Sequence, residues 1–233
     1  MSKSLKYIRF ISYLAMYSAM YIILKYVATF IPFLVMPNGG MIEMELIAVM
    51  LASYHLGWKG GAMVALLSWL VTIVLGFPMY FVNPIQVLLD YVLPLLVCGL
   101  ASVLWPFKTL NRRAAMIAGI IVAASAVAGV LLCYPVSVLT VAAAIAIGVL
   151  AGVFIWWYAS SQKPFGIIIS MVLKYLFTVI SGAYFWAEGA AAGSNAAWLF
   201  SLNYNLGYNL VTMVVCIIAV PVLFDRVVRK FTN

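Results

Sequence analysis

The sequence predicts an all-α integral membrane protein with about eight transmembrane helices. Of its 233 residues, 67% are hydrophobic and 8% are charged, whereas soluble domains contain about 25% charged residues. Apolar runs of membrane-crossing length recur along the chain, separated by short segments rich in Gly, Pro or charge. The basic residues lie at alternate ends of these runs, as the positive-inside rule requires. We therefore expect one transmembrane domain, residues 1–233, without a sizeable soluble domain.

The punctuation by Gly, Pro and charge divides the chain into successive helices. The predicted spans are 8–34, 41–57, 59–77, 84–105, 113–133, 136–158, 165–187 and 200–225. With the N-terminus inside, the inner segments contain these basic residues: Lys3, Lys6, Arg9, Lys59, Lys108, Arg112, Arg113, Lys163, Arg226, Arg229 and Lys230. The outer segments contain no Lys or Arg, and the two remaining lysines, Lys25 and Lys174, lie within spans. Both termini are therefore expected to be cytoplasmic.

Charge and cysteine usage argue against several other classes. The net charge of +8 does not indicate a nucleic-acid partner, because the 13 basic residues are scattered instead of forming a patch. The cysteines, Cys98, Cys133 and Cys216, lie within apolar runs without metal-ligand spacing, which favours buried thiols. The single histidine, His55, has no second ligand at a metal-binding spacing, so a capping or surface role is favoured. We expect neither a metal nor a cofactor.

The most informative segment is 86–94, Gln-Val-Leu-Leu-Asp-Tyr-Val-Leu-Pro, which places a carboxylate, Asp90, inside an apolar span. An ionisable group in hydrocarbon costs roughly 2.5–3.5 kcal/mol on insertion scales, so it usually faces a cavity, a partner or a substrate. Glu45, Asp90 and Asn205 all lie within about 10 Å of the outer ends of their helices. Together they predict an outward-facing pocket. Alternatively, Asp90 forms a structural ion pair with Lys25, which lies at a compatible depth.

Four sequence blocks follow one another in an order and spacing typical of one family. They are Gly-Met-Ile-Glu-Met-Glu at 40–45; Tyr80 with Gln-Val-Leu-Leu-Asp-Tyr at 86–91 and Pro94; Leu-Lys-Tyr-Leu-Phe at 173–177 with Ser-Gly-Ala-Tyr-Phe-Trp at 181–186; and Phe-Ser-Leu-Asn-Tyr-Asn at 200–205. The chain resembles the thiamine-specific S-component, the substrate-binding subunit of energy-coupling factor (ECF) transporters. The resemblance covers residues 8–105 and 165–230.

The resemblance implies a six-helix S-component-like bundle with a vitamin site near its outer face. The positions that match the family's pocket residues are the acids Glu45 and Asp90, the phenols Tyr80 and Tyr91, the indole Trp186 and the amide Asn205. Acids suit a cationic thiazolium and a hydrogen-bonding aminopyrimidine, and aromatic rings suit stacking on both rings of the vitamin. The implied function is the binding of thiamine or a thiamine precursor for uptake.

The sequence departs from the family pattern inside this pocket. Met41 stands in place of a loop tryptophan, Thr178 in place of a histidine, and Phe200 in place of a tyrosine, and Asp90 shortens a glutamate. Losing one aromatic face costs on the order of 1 kcal/mol, which changes affinity several-fold without abolishing recognition. Thiamine therefore leads, with a related ligand as the alternative. Met41, Thr178 and Phe200 are further candidate substrate contacts.

The remaining features concern partners. The segment 113–158 supplies two helices that the six-helix pattern lacks, and no Asp, Glu, Lys, Arg or His occurs between Arg113 and Lys163. We expect this extra hairpin to have a structural or partner-contact role. Ala15 and Ala19 match the small-residue pattern by which S-components dock on their transmembrane partner. The resemblance implies a membrane-embedded coupling subunit and two ATPase subunits as partners, in the lipid bilayer of a prokaryotic plasma membrane.

Two other functions are weighed against the same residues. An intramembrane enzyme requires a nucleophile–base or metal constellation, and the sequence has no Ser-His, Cys-His or multi-histidine grouping. A self-sufficient secondary transporter of a small cationic or heterocyclic solute, proton-coupled through Asp90, is the alternative, although the chain shows no internal repeat of the usual kind. We expect a binding subunit that is not an enzyme.

Overall fold

The structure, a computed structural model, describes residues 3–36, 40–104, 112–158, 163–187 and 189–228. Within these ranges the regular structure is helical, with no β-sheet and one isolated antiparallel bridge between Val35 and Met41. Three of the basic residues predicted on the inner side, Lys108, Arg229 and Lys230, lie outside the described residues.

The described part of the chain is a bundle of helices joined by short connections. The helices are α1 (Lys3–Thr29), α2 (Leu46–Val74), α3 (Pro84–Gly99), α4 (Arg112–Cys133), α5 (Val138–Tyr158), α6 (Lys163–Ser181) and α7 (Asn195–Leu223). A short 3-10 helix, Pro32–Leu34, follows α1. π-helical turns interrupt α3 at Leu88–Val92, extend α6 through Gly182–Trp186 and extend α7 through Phe224–Val228. Six of these helices, all except α3, are long and apolar enough to cross a membrane.

The prediction of about eight spans is therefore not confirmed. The predicted spans 41–57 and 59–77 form one bent helix, α2. The predicted span 84–105 shortens to α3, which is about 24 Å long at 1.5 Å per residue, whereas the hydrocarbon core of a bilayer is about 30 Å thick. Hydropathy located the apolar segments but did not determine how many of them have the length of a membrane span.

Two helix ends differ from the prediction for local reasons. α1 ends before residue 34 because Ile31 precedes Pro32 and is extended, with φ −110° and ψ 93°. α7 begins before the predicted residue 200 because the Ser194 side chain accepts a hydrogen bond from the Ala197 amide and caps the helix.

α2 bends sharply at Gly57, which has φ 79° and ψ 172°. Glycine adopts this left-handed backbone at little cost because it has no Cβ. A Cβ on Gly61 would lie 2.7 Å from the Ser53 Cβ, although eight residues of straight helix rise about 12 Å. The two arms of α2, residues 46–56 and 58–74, therefore fold back on each other at the bend.

The first arm of α2 lies at the centre of the bundle. Its residues 46–53 are all buried, and α1, α3 and α7 pack around α2. α4 and α5 form a hairpin whose helices approach closely at Gly119 and Gly152, and α4 also packs on α7. The division into an S-component-like core, residues 8–105 and 165–230, and an extra hairpin, residues 113–158, stays a prediction.

Candidate substrate-binding site

The candidate substrate contacts lie towards one end of the bundle, which we call the loop end. It carries residues 30–36, 40–45, 75–83, 187 and 189–194. Ring contacts join these segments: Tyr26 near the end of α1 packs edge-on against Phe77, and Tyr80 packs edge-on against Trp186. The sequence-predicted residues are thus brought to a common region, where they form separate polar clusters.

Asp90 is the centre of the first cluster. Its Oδ2 atom accepts hydrogen bonds from Gln86 Nε2 at 2.6 Å and from Trp186 Nε1 at 2.7 Å. Both donors are neutral, so they orient the carboxylate without cancelling its charge. Oδ1 has no hydrogen bond within the described residues. The alternative ion pair with Lys25 is not observed, because Lys25 pairs with Glu45.

The backbone that carries Asp90 is a π-helical turn, Leu88–Val92. Pro94 follows it and lacks the N–H that would bond to the Asp90 carbonyl in a regular α-helix. The helix accommodates the proline by widening, and the Leu93 amide donates to the Leu88 carbonyl. Trp186 also ends a π-helical turn. π-turns are rare and occur frequently at functional sites.

Tyr80 and Tyr91 complete the first cluster. The Tyr80 amide donates to the Tyr91 hydroxyl at 3.0 Å, and that hydroxyl lies 3.3 Å from the Tyr80 carbonyl. The Tyr80 ring is 66% exposed and meets the Trp186 ring edge-on, with centroids 6.0 Å apart. The structure therefore brings four predicted residues, Tyr80, Asp90, Tyr91 and Trp186, into one group.

Gln86 belongs to this group and was not predicted as a site residue. It is fully buried, and its Oε1 accepts a hydrogen bond from the Val82 amide at 3.0 Å while its Nε2 binds Asp90. The available signal was the spacing of four residues between Gln86 and Asp90, which places two side chains on the same face of a helix.

A second cluster surrounds Lys174 on α6. Lys174 is 2% exposed, and its ammonium group forms an ion pair with Glu43 and donates to Asn209 Oδ1 at 2.8 Å. It also lies 5.7 Å from the centroid of the Tyr208 ring. Lys174 thus has the acid partner that a buried lysine requires. Glu43 and Asn209 were not predicted as site residues.

Asn205 lies beside this second cluster. Its Oδ1 accepts a hydrogen bond from the Tyr208 hydroxyl, and its Nδ2 donates to the Ser201 carbonyl at 2.9 Å. A Cβ on Gly182 would lie 3.2 Å from Asn205 Nδ2. Gly182 begins the π-turn that ends at Trp186, whose indole N–H donates to Asp90. The close approach therefore places Asn205 against this π-turn.

Glu45 is the most deeply buried acid of the site, at 1% exposure. Its Oε1 lies 2.9 Å from Lys25 Nζ, whereas its Oε2 has no hydrogen-bond partner among the described residues. An unpartnered buried carboxylate oxygen is costly. Its placement leaves one acceptor for a ligand, but the structure does not bring Glu45 into the Asp90 cluster.

The three further candidates occupy the margins of the second cluster. Met41 packs with Leu34, Ile42 and Tyr208. Phe200 is 40% exposed and stacks on Tyr204, with centroids 5.8 Å apart and the planes 7° from parallel. The Thr178 hydroxyl donates to the Tyr175 carbonyl on its own helix at 2.9 Å.

An open groove of about 680 Å³ lies next to these clusters instead of inside them. It is formed by the second arm of α2, the segment that follows it and the start of α3, and its lining is almost entirely apolar: Trp69, Phe81, Val82, Asn83, Pro84, Val87, Leu88 and Val92. We assign no substrate to it, since an apolar lining offers nothing to fix a polar or charged solute.

The pattern of ion pairs determines the charge of the site. Among the carboxylates described at the loop end, Glu43 pairs with Lys174 and Glu45 pairs with Lys25, while Asp90 is bound by neutral donors. One negative charge therefore remains uncompensated, beside the rings of Tyr80 and Trp186. This arrangement suits a flat cation that accepts both an electrostatic and an aromatic contact. No group of three His, Cys, Asp or Glu that could hold a metal occurs among the described residues.

Ala15 and Ala19 lie away from the substrate clusters. Both are exposed on α1, and the intervening Tyr17 and Ser18 are buried on the opposite face. The pair therefore belongs to a surface that contacts lipid or another subunit.

Comparisons with known proteins establish the family of the chain. The description of the thiamine transporter protein family (Thia_YuaJ) matches residues 11–232. The thiamine transporter ThiT of Bacillus subtilis (strain 168) is 30% identical over 192 residues, which are 82% of this chain and 79% of that protein. A solved structure of ThiT from Listeria monocytogenes has the same fold, with a TM-score of 0.60 and 18% identity over 97% of this chain and 98% of that chain. The chain belongs to the thiamine transporter protein family.

Proposed function

We propose that this protein is a membrane-embedded substrate-binding subunit that captures thiamine, or a close relative of thiamine, at the loop end. The observation that carries the proposal is the carboxylate of Asp90, which accepts hydrogen bonds from two neutral donors, has no ion-pair partner among the described residues and lies beside Trp186 and Tyr80. Thiamine is a cation with two flat aromatic rings. A partly buried carboxylate next to aromatic faces attracts such a ligand more strongly than it attracts neutral solutes.

The other predicted residues have supporting roles in this proposal. Tyr91 fixes the segment that carries Tyr80, and Glu45 offers its unpartnered Oε2 as an acceptor for the aminopyrimidine. Asn205 offers a polar contact from α7. Phe200 retains an aromatic ring, whereas Met41 and Thr178 provide no flat face. We therefore expect compounds that carry the cationic thiazolium ring of thiamine to bind more tightly than compounds that carry only uncharged aromatic rings.

Binding measurements on the purified protein test the proposal. Thiamine, its phosphates and its separate pyrimidine and thiazole halves are titrated by calorimetry or by quenching of tryptophan fluorescence. We expect the intact vitamin to bind more tightly than either half, because both rings have partners. A folded protein that binds none of these compounds would contradict the proposal.

Transport requires partners in this proposal. We propose that the protein binds its substrate without catalysing a reaction, and that an ECF coupling subunit docks on α1 while two ATPase subunits supply the energy. The exposure of Ala15 and Ala19 supports a docking surface there, because small side chains permit close helix approach.

Substitution of Ala15→Trp or Ala19→Trp tests the docking surface. Ligand binding by the isolated subunit is expected to persist, whereas uptake by cells that contain the partner subunits falls. Ala146→Trp, at an exposed alanine on α5, is the matched control and should leave uptake unchanged. Uptake that continues without any partner subunit would instead favour the self-sufficient secondary transporter.

The bend in α2 supports a finer proposal about topology. We propose that the two arms of α2, the short α3 and the five other long helices each traverse the bilayer, which gives eight crossings and two cytoplasmic termini. Trp58 and Lys59 lie at the bend and form a cation–π pair, which is typical of a membrane boundary and would be costly at mid-bilayer. Labelling of single cysteines in intact cells tests this: a residue next to Lys59 should resist an impermeant reagent, and a labelled C-terminus would contradict the proposal.

A further inference from the structure

Gln86 lies at a helix position where a side chain commonly caps the helix. Asn83 is the N-cap residue of α3, and its side-chain oxygen accepts a hydrogen bond from the Gln86 amide at 2.9 Å. A Gln or Glu three residues after such a cap commonly accepts a hydrogen bond from the amide of the cap residue, which forms a capping box. Here Gln86 Oε1 accepts instead from the amide of the preceding residue, Val82, at 3.0 Å. This contact uses the oxygen of the Gln86 side chain and leaves its nitrogen available.

The nitrogen of Gln86 holds Asp90. Gln86 Nε2 and Trp186 Nε1 both donate to the same oxygen, Asp90 Oδ2, at 2.6 and 2.7 Å. The other oxygen, Oδ1, accepts no hydrogen bond within the described residues. The Val82 contact fixes which way the Gln86 amide points, because the reversed amide would place its NH₂ group against an N–H and its oxygen against a carboxylate. A glutamate at 86 would serve the Val82 amide equally well, but its carboxylate would lie against Asp90 as a like charge.

We propose that Gln86 is a positioning residue for charge recognition, which holds Oδ2 of Asp90 so that Oδ1 is presented to the cation of the substrate. The proposal rests on the proposed function for its consequence in binding. The hydrogen bonds of Gln86 are a property of the ligand-free protein and are tested separately below.

The same side chain also holds the connection between α2 and α3, residues 75–83. Gln86 binds the Val82 amide, and Tyr91 binds the Tyr80 amide, so two side chains of α3 hold this connection by its backbone. Gln86 is fully buried, so water does not compete for its amide. The Tyr80 ring and the Asp90 carboxylate, which both contact Trp186, are therefore positioned through one buried network.

The proposal predicts a loss of selectivity for charge instead of a general loss of binding. Without the Gln86 donor, the Asp90 carboxylate gains rotational freedom that the substrate must remove when it binds. The loss should therefore weaken thiamine far more than a neutral analogue that carries carbon in place of the thiazolium nitrogen. If Gln86 only capped α3, its loss would weaken both ligands equally.

Gln86→Met removes the amide and keeps the length of the side chain. One hydrogen bond corresponds to a change of about 2- to 10-fold, so calorimetry should show the affinity for thiamine falling about 5-fold. The affinity for the neutral analogue should change by about 2-fold or less, and so should the affinity of Asp90→Asn for thiamine when Gln86→Met is added to it. Equal losses for the two ligands, or equal losses with and without the Asp90 charge, would overturn the proposal.

Asn83→Ala is the matched control, because it removes the cap on the Gln86 amide and leaves the donor to Asp90 in place. It should leave the preference for thiamine over the neutral analogue unchanged. A preference that narrows as much in Asn83→Ala as in Gln86→Met would assign the effect to capping and overturn the proposal.

Two measurements on the ligand-free protein test the network itself. In Gln86→Met, hydrogen exchange at the Val82 amide should accelerate by about 2- to 10-fold, and the NMR signal of the Trp186 indole N–H, which reports on the Asp90 carboxylate, should shift. An indole signal that stays in place would overturn the positioning role. If Gln86→Met does not fold, the parent protein decides: its Gln86 side-chain amide should exchange slowly and its signal should shift in Asp90→Asn, and an unshifted signal would overturn the proposal. If the parent binds no thiamine, the proposed function fails, whereas the indole signal still decides whether Gln86 positions Asp90.

Discussion

Asp90 and Glu45 are both carboxylates in apolar surroundings at the loop end, yet the protein satisfies them differently. Glu45 is 1% exposed and lies 2.9 Å from the ammonium group of Lys25. Asp90 is only partly buried and accepts hydrogen bonds from an amide and an indole. The first arrangement neutralises a charge inside the protein, and the second leaves a carboxylate without a basic partner among the described residues. In the proposed function, Asp90 therefore serves recognition of the charge of the substrate, whereas Glu45 serves mainly stability and offers only its second oxygen to the ligand.

The largest expected effect concerns the neutralised acid. Glu45→Gln leaves the Lys25 ammonium without its partner, and breaking a buried ion pair in this way costs about 3–5 kcal/mol. We expect the free energy of unfolding in detergent to fall by about 3 kcal/mol, at the lower end of that range, because Lys25 retains access to solvent. The double variant with Lys25→Met should recover most of this loss. Equal stability of the single variant and the parent would remove the distinction between the two acids.

The next effect concerns the charge that remains available. Asp90→Asn removes a charge-assisted contact with the substrate worth on the order of 1.5–3 kcal/mol, so the affinity for thiamine should fall about 10- to 150-fold. Stability should change much less, because asparagine still accepts hydrogen bonds from Gln86 and Trp186. Asp90→Glu should be milder than Asp90→Asn, since it keeps the charge.

Asp225→Asn provides a control for Asp90→Asn. Asp225 also lies on a π-helical turn, Phe224–Val228, at the other end of α7 from the loop end. We expect calorimetric titration to show unchanged thiamine affinity. Equal losses in the two variants would mean that the Asp90 effect arises from net charge or folding instead of from contact.

The smallest effect concerns a donor to Asp90. Trp186→Phe keeps an aromatic ring against Tyr80 and removes the N–H that orients the carboxylate. One such hydrogen bond is worth about 1 kcal/mol, so affinity should fall about 5-fold. Trp198→Phe, at a ring that packs against Tyr184 at the same end of the protein, should leave affinity unchanged. A loss larger than that of Asp90→Asn would indicate that the indole, and not the carboxylate, dominates recognition.

The sequence predicted much of the fold because hydrophobic runs and helix breakers are local signals. The break at Gly57 was expected between the spans 41–57 and 59–77, and the structure bends there. The number of membrane crossings stays a prediction, because six of the described helices have the length of a span and one of them, α2, is bent. Whether two short arms cross separately depends on how they fold back, which is a matter of tertiary packing at Ser53 and Gly61.

The sequence predicted which side chains would lie together better than it predicted their partners. The resemblance identified Tyr80, Asp90, Tyr91 and Trp186, which form one cluster. The sequence left Lys25 open as an ion-pair partner of Asp90, but in the folded protein Lys25 forms its ion pair with Glu45. Which acid pairs with Lys25 depends on the angles between helices and on how deep each side chain lies in the bundle. These helices lie far apart in sequence, so a sequence pattern does not specify either quantity.

Gln86 and Tyr134 show the same limit in two other forms. Gln86 belongs to the sequence block 86–91, but only the folded protein shows that its side-chain amide donates a hydrogen bond to Asp90. Tyr134 lies in a connection that has no chemical signature of its own, and its partner is a backbone carbonyl at Phe33. Because every residue has a backbone carbonyl, the residue type at the partner position does not reveal such a contact.

The central claim is that Asp90 contributes its charge to recognition. The most direct test compares the affinity of thiamine with that of a neutral analogue that carries carbon in place of the thiazolium nitrogen, for the parent protein and for Asp90→Asn. We predict that the parent prefers the cation by about 10-fold or more and that most of this preference disappears in Asp90→Asn. An equal preference in both proteins would contradict the claim that this carboxylate recognises the charge of the substrate.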